Sequence, residues 1–174
     1  MSGVGLIQLY HGDGKGKTSA AIGASIRAAG AGKKVLFAQF LKDGSSSEIH
    51  ILQAVPGIKT LHCDTVQGFW HSLSPEQQAR ARADYEEFLE LVLSQASRAD
   101  LLVLDELSHA CRLNVISEIR LISWLEKKPE GLEVIITGRD PSPALKALAD
   151  YESEIKKIRH PFDRGIAARK GIEF

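Results

Sequence analysis

"YHGDGKGKTS", residues 10–19, decides how this chain is read. Gly16-Lys17-Thr18 closing a glycine-rich run is the end of a phosphate-binding loop. In the common form of that loop the first glycine stands at the place His11 takes here. Gly12 and Gly14 follow instead, with Lys15 as an extra cation inside the loop. To the left, "VGLIQLY" (4–10) predicts a short buried strand. To the right, "KTSAAIGASIRAAG" predicts a helix with Ala21, Ile22, Ser25, Ile26 and Ala29 on its packing face, ended by Gly30 and Gly32. A strand, a glycine turn and a helix beginning at a lysine make an anion site. Backbone N–H groups converge there, the helix N-terminus adds partial positive charge, and glycines let phosphate approach the backbone. Lys17 supplies a full charge and the Thr18 hydroxyl a ligand for magnesium.

A second signal lies at "DLLVLDE" (100–106), an apolar strand ending in Asp105-Glu106. An acid at the C-terminal end of a parallel strand faces the ligand crevice and binds Mg²⁺ directly or through water. Spacing leaves open which of the two acids does so. Arg27 lies three turns along the first helix and is a candidate to curl back toward the phosphates. Arg139 follows the strand "LEVIITG" (132–138) on the ligand side.

The remaining pattern alternates strands and helices. "KVLFAQF" (34–40) and "IKTLHC" (58–63) read as strands separated by the polar loop "LKDGSSSE". "SPEQQARARADYEEFLELVLSQAS" is the plainest helix, with Ser74 as cap, Pro75 at its first position and Gln77 completing a capping box. Its buried face is Ala81, Tyr85, Phe88, Leu89, Val92 and Ala96. "VISEIRLISWLEKK" and "SPALKALAD" read as helices, and "SEIKKIRH" (153–160) as an edge strand. Near-continuous apolar strands alternating with helices predict an α/β fold, a mostly parallel sheet covered on both faces. With 174 residues and no linker or repeat, residues 1–174 read as one domain.

Composition narrows the classes. Twenty-two basic residues against 22 acidic ones leave no net charge, which counts against a large nucleic-acid footprint. No stretch approaches the length of a membrane span and no signal-peptide pattern opens the chain, so a cytoplasmic protein is expected. Cys63 and Cys111 form neither a disulfide framework nor a zinc site. No guanine-reading Asn/Thr-Lys-x-Asp motif, transporter Leu-Ser-Gly-Gly signature or monophosphate-kinase lid segment is present. From the residues alone the reading stops at an ATP-type phosphate-loop protein. A RecA-like ATPase or a nucleotide-switched binding module stays open, with the basic C-terminal residues as its partner surface.

Over nearly its whole length the chain resembles the single-domain phosphate-loop corrinoid adenosyltransferases. The resemblance rests on "YHGDGKGKTSAAIGASIRAAGAGKKVLFAQFLKDG", "LLVLDEL", "WLEKKPEGLEVIITGRDPSPAL" and "IKKIRHPFDRGIAARKGIEF". The displaced first glycine is that family's usual form; Asp13 stands for its frequent Asn and His11 for its frequent Thr. The resemblance implies a RecA-like fold and transfer of the 5′-deoxyadenosyl group of ATP to a reduced corrinoid. Triphosphate leaves, with ATP lying reversed in the loop relative to ordinary ATPases. It implies that Gly12, Asp13, Gly14, Lys15, Gly16, Lys17, Thr18 and Ser19 bind the triphosphate, that Thr18 and Glu106 hold Mg²⁺, and that Arg27 contacts phosphate. Phe69 and Trp70 in "QGFWHSL" are the candidates to pack beneath the corrin ring, in a region where some members carry Gly-Phe-Thr-Trp. A histidine ligand would oppose cobalt reduction, so His62, His71 and His109 are not read as cobalt ligands. A homodimer and a flavoprotein reductant are further implications. A relative that only holds or delivers a corrinoid is a third candidate.

Overall fold

The computed structural model describes residues 3–64 and 70–173. Six strands form one sheet: β1 (Ile7–His11), β2 (Val35–Gln39), β3 (Ile58–His62), β4 (Leu101–Asp105), β5 (Glu133–Thr137) and β6 (Tyr151–Glu154). Their spatial order is β3-β2-β4-β5-β1-β6, and every pairing is parallel. Six helices connect them: α1 (Lys17–Gly30), α2 (Ser47–Ala54), α3 (Pro75–Gln95), α4 (Leu107–Arg112), α5 (Glu118–Leu125) and α6 (Pro143–Ala147).

The central strands are apolar throughout because both of their faces are covered. Leu36, Ala38, Leu102, Leu104, Val134 and Ile136 point to one side, where Tyr85, Phe88, Leu89 and Val92 of α3 meet them. Val35, Phe37, Leu101, Val103 and Ile135 point to the other, against Ala21 of α1 and Ile49 and Leu52 of α2. Each buried Val, Leu, Ile or Phe among them contributes about 1.5–3 kcal/mol of transfer free energy. The predicted start of α3 is observed in full: Ser74 Oγ accepts from the Gln77 N–H, and Gln77 Oε1 accepts from the Ser74 N–H.

Several expectations need correction. Ile26, assigned to the packing face of α1, is 41% exposed. Two short helices were not anticipated, α2 behind the serine run and α4 directly after β4. The edge strand covers 151–154 rather than 153–160. Its end is set by its partner: β1 stops at His11, the loop turns inward, and the last bond of the pair is Ile155 N–H to His11 O. Ile155 and Ile158 therefore fall beyond the sheet, and Ile158 is left exposed.

Candidate functional site

β1 delivers the loop to the C-terminal edge of the sheet, and the segment after β6 shapes it. A Cβ added at Gly12 would lie 2.4 Å from the Ile155 carbonyl oxygen, and one at Gly14 2.7 Å from it. Gly12 also has φ 112°, a conformation that glycine tolerates. The Gly14 N–H donates to Ile155 O at 2.8 Å, and the Lys157 N–H donates to Asp13 Oδ1 at 2.9 Å. That backbone bond holds the Asp13 carboxyl below its ordinary range and ties it to residue 157. Asp13 thus anchors the loop from outside. Buried His11 is likewise tied to β6, its Nε2 2.8 Å from Glu152 Oε1.

Past Gly16 (φ 124°) α1 starts with no side-chain cap, so its first amides keep their free direction toward a ligand. Lys17 is buried and its Nζ donates to Gly14 O at 2.8 Å. Burial lowers its pKa, with Arg139 acting in the same sense and Glu106, Asp13 and Asp105 opposing. A buried ammonium on one carbonyl is a group poised for an anion.

Asp105, fully buried at the end of β4, is the hub of the site. Its Oδ1 accepts from Thr18 Oγ1 at 2.8 Å and from Thr137 Oγ1 at 2.7 Å. Its Oδ2 accepts from Lys42 Nζ at 3.1 Å and Gln39 Nε2 at 3.2 Å. Because β5 lies between β1 and β4, Thr137 stands between the loop strand and the acid strand and links them. Its hydroxyl also accepts the Glu106 N–H at 2.9 Å. Glu106 takes the left-handed conformation, φ 61°, and lines the cleft above the loop. Burial raises its pKa, the Asp105 charge adds to this, and Lys42, Lys17 and Arg139 oppose.

Backbone strain gathers here. Among the described residues four non-glycine residues have positive φ, and three belong to this edge: Glu106 itself, Leu41 (54°) before Lys42, and Asp140 (44°) after Arg139. Each costs on the order of 1–3 kcal/mol, which the surrounding structure must over-determine. In each case the result is a charged side chain in the cleft.

The cleft holds about 680 Å³. Loop residues 13–19 form its floor, Lys42, Glu106 and Arg139 one wall, and Ser47, Glu48 and Ile51 of α2 another. The segment 168–173 lies across its mouth. Of the sequence-predicted residues, Asp13, Gly14, Lys15, Gly16, Lys17, Thr18, Ser19, Glu106 and Arg139 come together at this cleft, and Asp105 lies directly beneath.

Arg27 does not. It is ten residues beyond Lys17, about 15 Å along the helix axis, and lines a separate cleft at the opposite end of the strands. The helix thus sets Arg27 apart from the loop residues that were named with it for the phosphates. Trp70 packs against the core beside α3, with the Arg82 guanidinium 5.4 Å from its ring centroid. Phe69 lies outside the described residues. Sequence reasoning missed Gln39, Lys42 and Thr137, although each sits in a legible stretch, "QFLKDG" or "TGR". It also missed the α2 residues, whose helix it did not predict.

The fold is shared with the cytoplasmic domain of EssC (TM-score 0.55) and with EssC ATPases 2 and 3 from Geobacillus thermodenitrificans (TM-score 0.53). Both are 14% identical to this chain, cover 95% and 96% of it, and are spanned by it over only 34% and 35% of their own length. That likeness is one of architecture alone. Sequence relatives are nearer. Corrinoid adenosyltransferases of Escherichia coli K12 and Pseudomonas aeruginosa are 33% and 32% identical over 171 residues, 98% of this chain and 86% and 84% of theirs. The corrinoid adenosyltransferase CobA of Salmonella typhimurium is 33% identical over the same share of this chain. The family model "ATP:corrinoid adenosyltransferase BtuR/CobO/CobP" matches residues 3–174, and with its loop, acid strand and relatives in agreement the chain belongs to that family.

Proposed function

We propose that this protein transfers the 5′-deoxyadenosyl group of ATP to the Co(I) centre of a reduced corrinoid. In that step the cobalt electron pair forms the Co–C5′ bond, the C5′–O bond breaks, and triphosphate leaves with the bonding pair. The observation that carries the reading is the charge layout of the cleft. Lys15, Lys17, Lys42 and Arg139 surround a helix N-terminus whose amides face the same space. Such a site neutralises a departing polyanion, and fixed donors do so without reorganising as the charge builds. Positioning supplies the rest, since the nucleophile is a metal centre that needs no deprotonation.

Magnesium fits the donor set. The Thr18 hydroxyl and the Glu106 carboxylate are hard oxygen ligands at the edge of the phosphate floor, with Asp105 behind them. Mg²⁺ bound there neutralises phosphate charge. Asp105 holds the Thr18 hydroxyl hydrogen, so the Thr18 lone pairs face the cleft. Among the described residues no cluster of three or more His, Cys, Asp or Glu side chains is present. Magnesium would need none, because phosphate oxygens and water would complete its shell. Trp70 and the neighbouring Phe69 are assigned to the corrinoid side. A cytoplasmic homodimer served by a flavoprotein reductant completes the reading; no helix of the described chain is long and apolar enough to cross a membrane.

The test is product analysis. Protein mixed with ATP, Mg²⁺ and chemically reduced cobalamin should yield adenosylcobalamin and intact triphosphate. Formation of ADP and phosphate instead would show an ATPase and end this proposal.

A further inference from the structure

The segment that follows the last short helical turn (Pro161–Arg164) folds back over the phosphate cleft, and its contacts converge on one loop cation. Lys15 Nζ donates to the Ile172 carbonyl oxygen at 2.8 Å and lies 3.6 Å from Glu173 Oε1. Glu173 is itself gripped. Its Oε2 accepts from Arg169 N–H at 2.8 Å and Nε at 3.1 Å, and its Oε1 accepts from Nη2 at 2.9 Å. The turn is closed by Ile172 and Glu173 N–H groups on the Arg169 carbonyl, with Gly171 at φ 75°. The Glu173 side chain is only 17% exposed and lines the same space as the loop amides.

A carboxylate lining an anion cleft is unfavourable to any polyanion placed there, and this one already occupies part of the field of Lys15. We propose that Glu173, held by Arg169, is a positioning residue for Lys15: it clasps this lysine while the cleft is empty, gives it up to the incoming polyphosphate, and competes for it again when triphosphate is to leave. The step is an exchange of ionic partners with no covalent change. A tethered carboxylate acts at high effective concentration, so it displaces a product that a loop rich in cations would otherwise retain. Arg169 holds the Glu173 carboxyl down to about 2, so the competing charge is present at every working pH. The role in product departure rests on the adenosyl-transfer reading; the exchange at Lys15 does not.

The test uses the full chain with Glu173→Gln and Glu173→Asp, and inorganic triphosphate as the probe in calorimetry, beside multiple- and single-turnover transfer. Glu173→Gln should bind triphosphate about three- to tenfold more tightly, the scale of one removed like charge in a partly solvated site. Multiple-turnover kcat should fall while the single-turnover rate holds, and Glu173→Asp should bring triphosphate affinity and kcat back toward the parent values. Unchanged or weaker triphosphate binding in Glu173→Gln overturns the proposal. If the parent protein binds triphosphate but transfers nothing, while Glu173→Gln still tightens binding, the clasp stands and the adenosyl-transfer reading falls.

Discussion

The two ends of the sheet carry clefts of nearly equal size, about 710 Å³ where the strands begin and about 680 Å³ where they end, and they are built on opposite principles. At the first, three charged side chains are used up on nearby backbone. The Asp100 carboxylate takes the Lys34 N–H, Glu133 takes the Leu6 N–H, and Lys128 donates to the Gly5 and Leu132 carbonyls. Among the described residues none of its lining has a positive φ. At the second, Lys17 is buried on a single carbonyl, Glu106 is pushed above its ordinary pKa, and left-handed residues stand at Glu106 and beside Lys42 and Arg139, which line the cleft. Buried Gln39 even leaves its Oε1 without a partner. Volume therefore does not separate a site from a surface fold. Unbalanced charge and over-determined strain do, because both are costs that gather at functional sites.

The largest break in this contrast is Lys17→Ala. It removes the buried cation nearest the helix start, and adenosyl transfer should fall by about 10²–10³-fold, the range for one preorganised charge-stabilising group. The change is read from the rate of adenosylcobalamin formation, and a loss below tenfold would place the leaving-group charge elsewhere. Next is Asp105→Asn. An amide cannot accept from Thr18, Thr137, Lys42 and Gln39 together, so at least one donor is orphaned and Lys42 loses its counter-charge. We expect a loss of about 3 kcal/mol in urea unfolding.

That same hub marks where sequence reading succeeded and where it stopped. The loop, α1, the capping box of α3 and the acid strand are local signals, each contained within a few residues, and the structure reproduces them. The pairing of Asp105 with Lys42 spans 63 residues, and that with Thr137 spans 32. No local pattern announces such contacts; they follow from the strand order, which places β5 between β1 and β4. Arg27 stands apart from the loop cleft for the complementary reason. Its sequence distance from the loop is short, but a helix converts ten residues into a length that no arginine side chain recovers. The helices α2 and α4 escaped because eight and six residues carry too little periodicity to stand out from a serine run and a strand end.

Glu106→Gln sharpens the contrast in sign rather than size. The Glu106 carboxyl titrates above its ordinary value when folded, so the folded protein binds that proton more strongly than the unfolded chain does. Stability contributed by the protonated form is lost as pH rises through the raised pKa, and at neutral pH ionised Glu106 is a net cost. The ligand-free variant should therefore melt higher than the parent at pH 7.5, by about 2–4 °C for each kcal/mol recovered. The difference should shrink toward acid pH, and Mg²⁺-dependent nucleotide binding should be lost. A variant that melts lower at neutral pH would mean that Glu106 is satisfied in the empty protein. Its conformation would then be ordinary scaffold.

The smallest expected effect tests the other end of the sheet. Arg27 is exposed, forms no ion pair among the described residues, and lies beside the hydrogen-bonded chain of Tyr10, Gln8 and Glu133. Arg27→Ala should shift unfolding by no more than about 0.5 kcal/mol, as surface substitutions do. KM for ATP should stay within a factor of about two, since a phosphate contact worth 1.4 kcal/mol would change it tenfold. Arg139→Ala, measured in parallel, should weaken ATP because this arginine stands on the wall of the cleft that the loop floors. If Arg27→Ala instead raises KM as far as Arg139→Ala does, α1 presents both of its ends to the nucleotide. The asymmetry between the two clefts would then be a property of the empty protein alone.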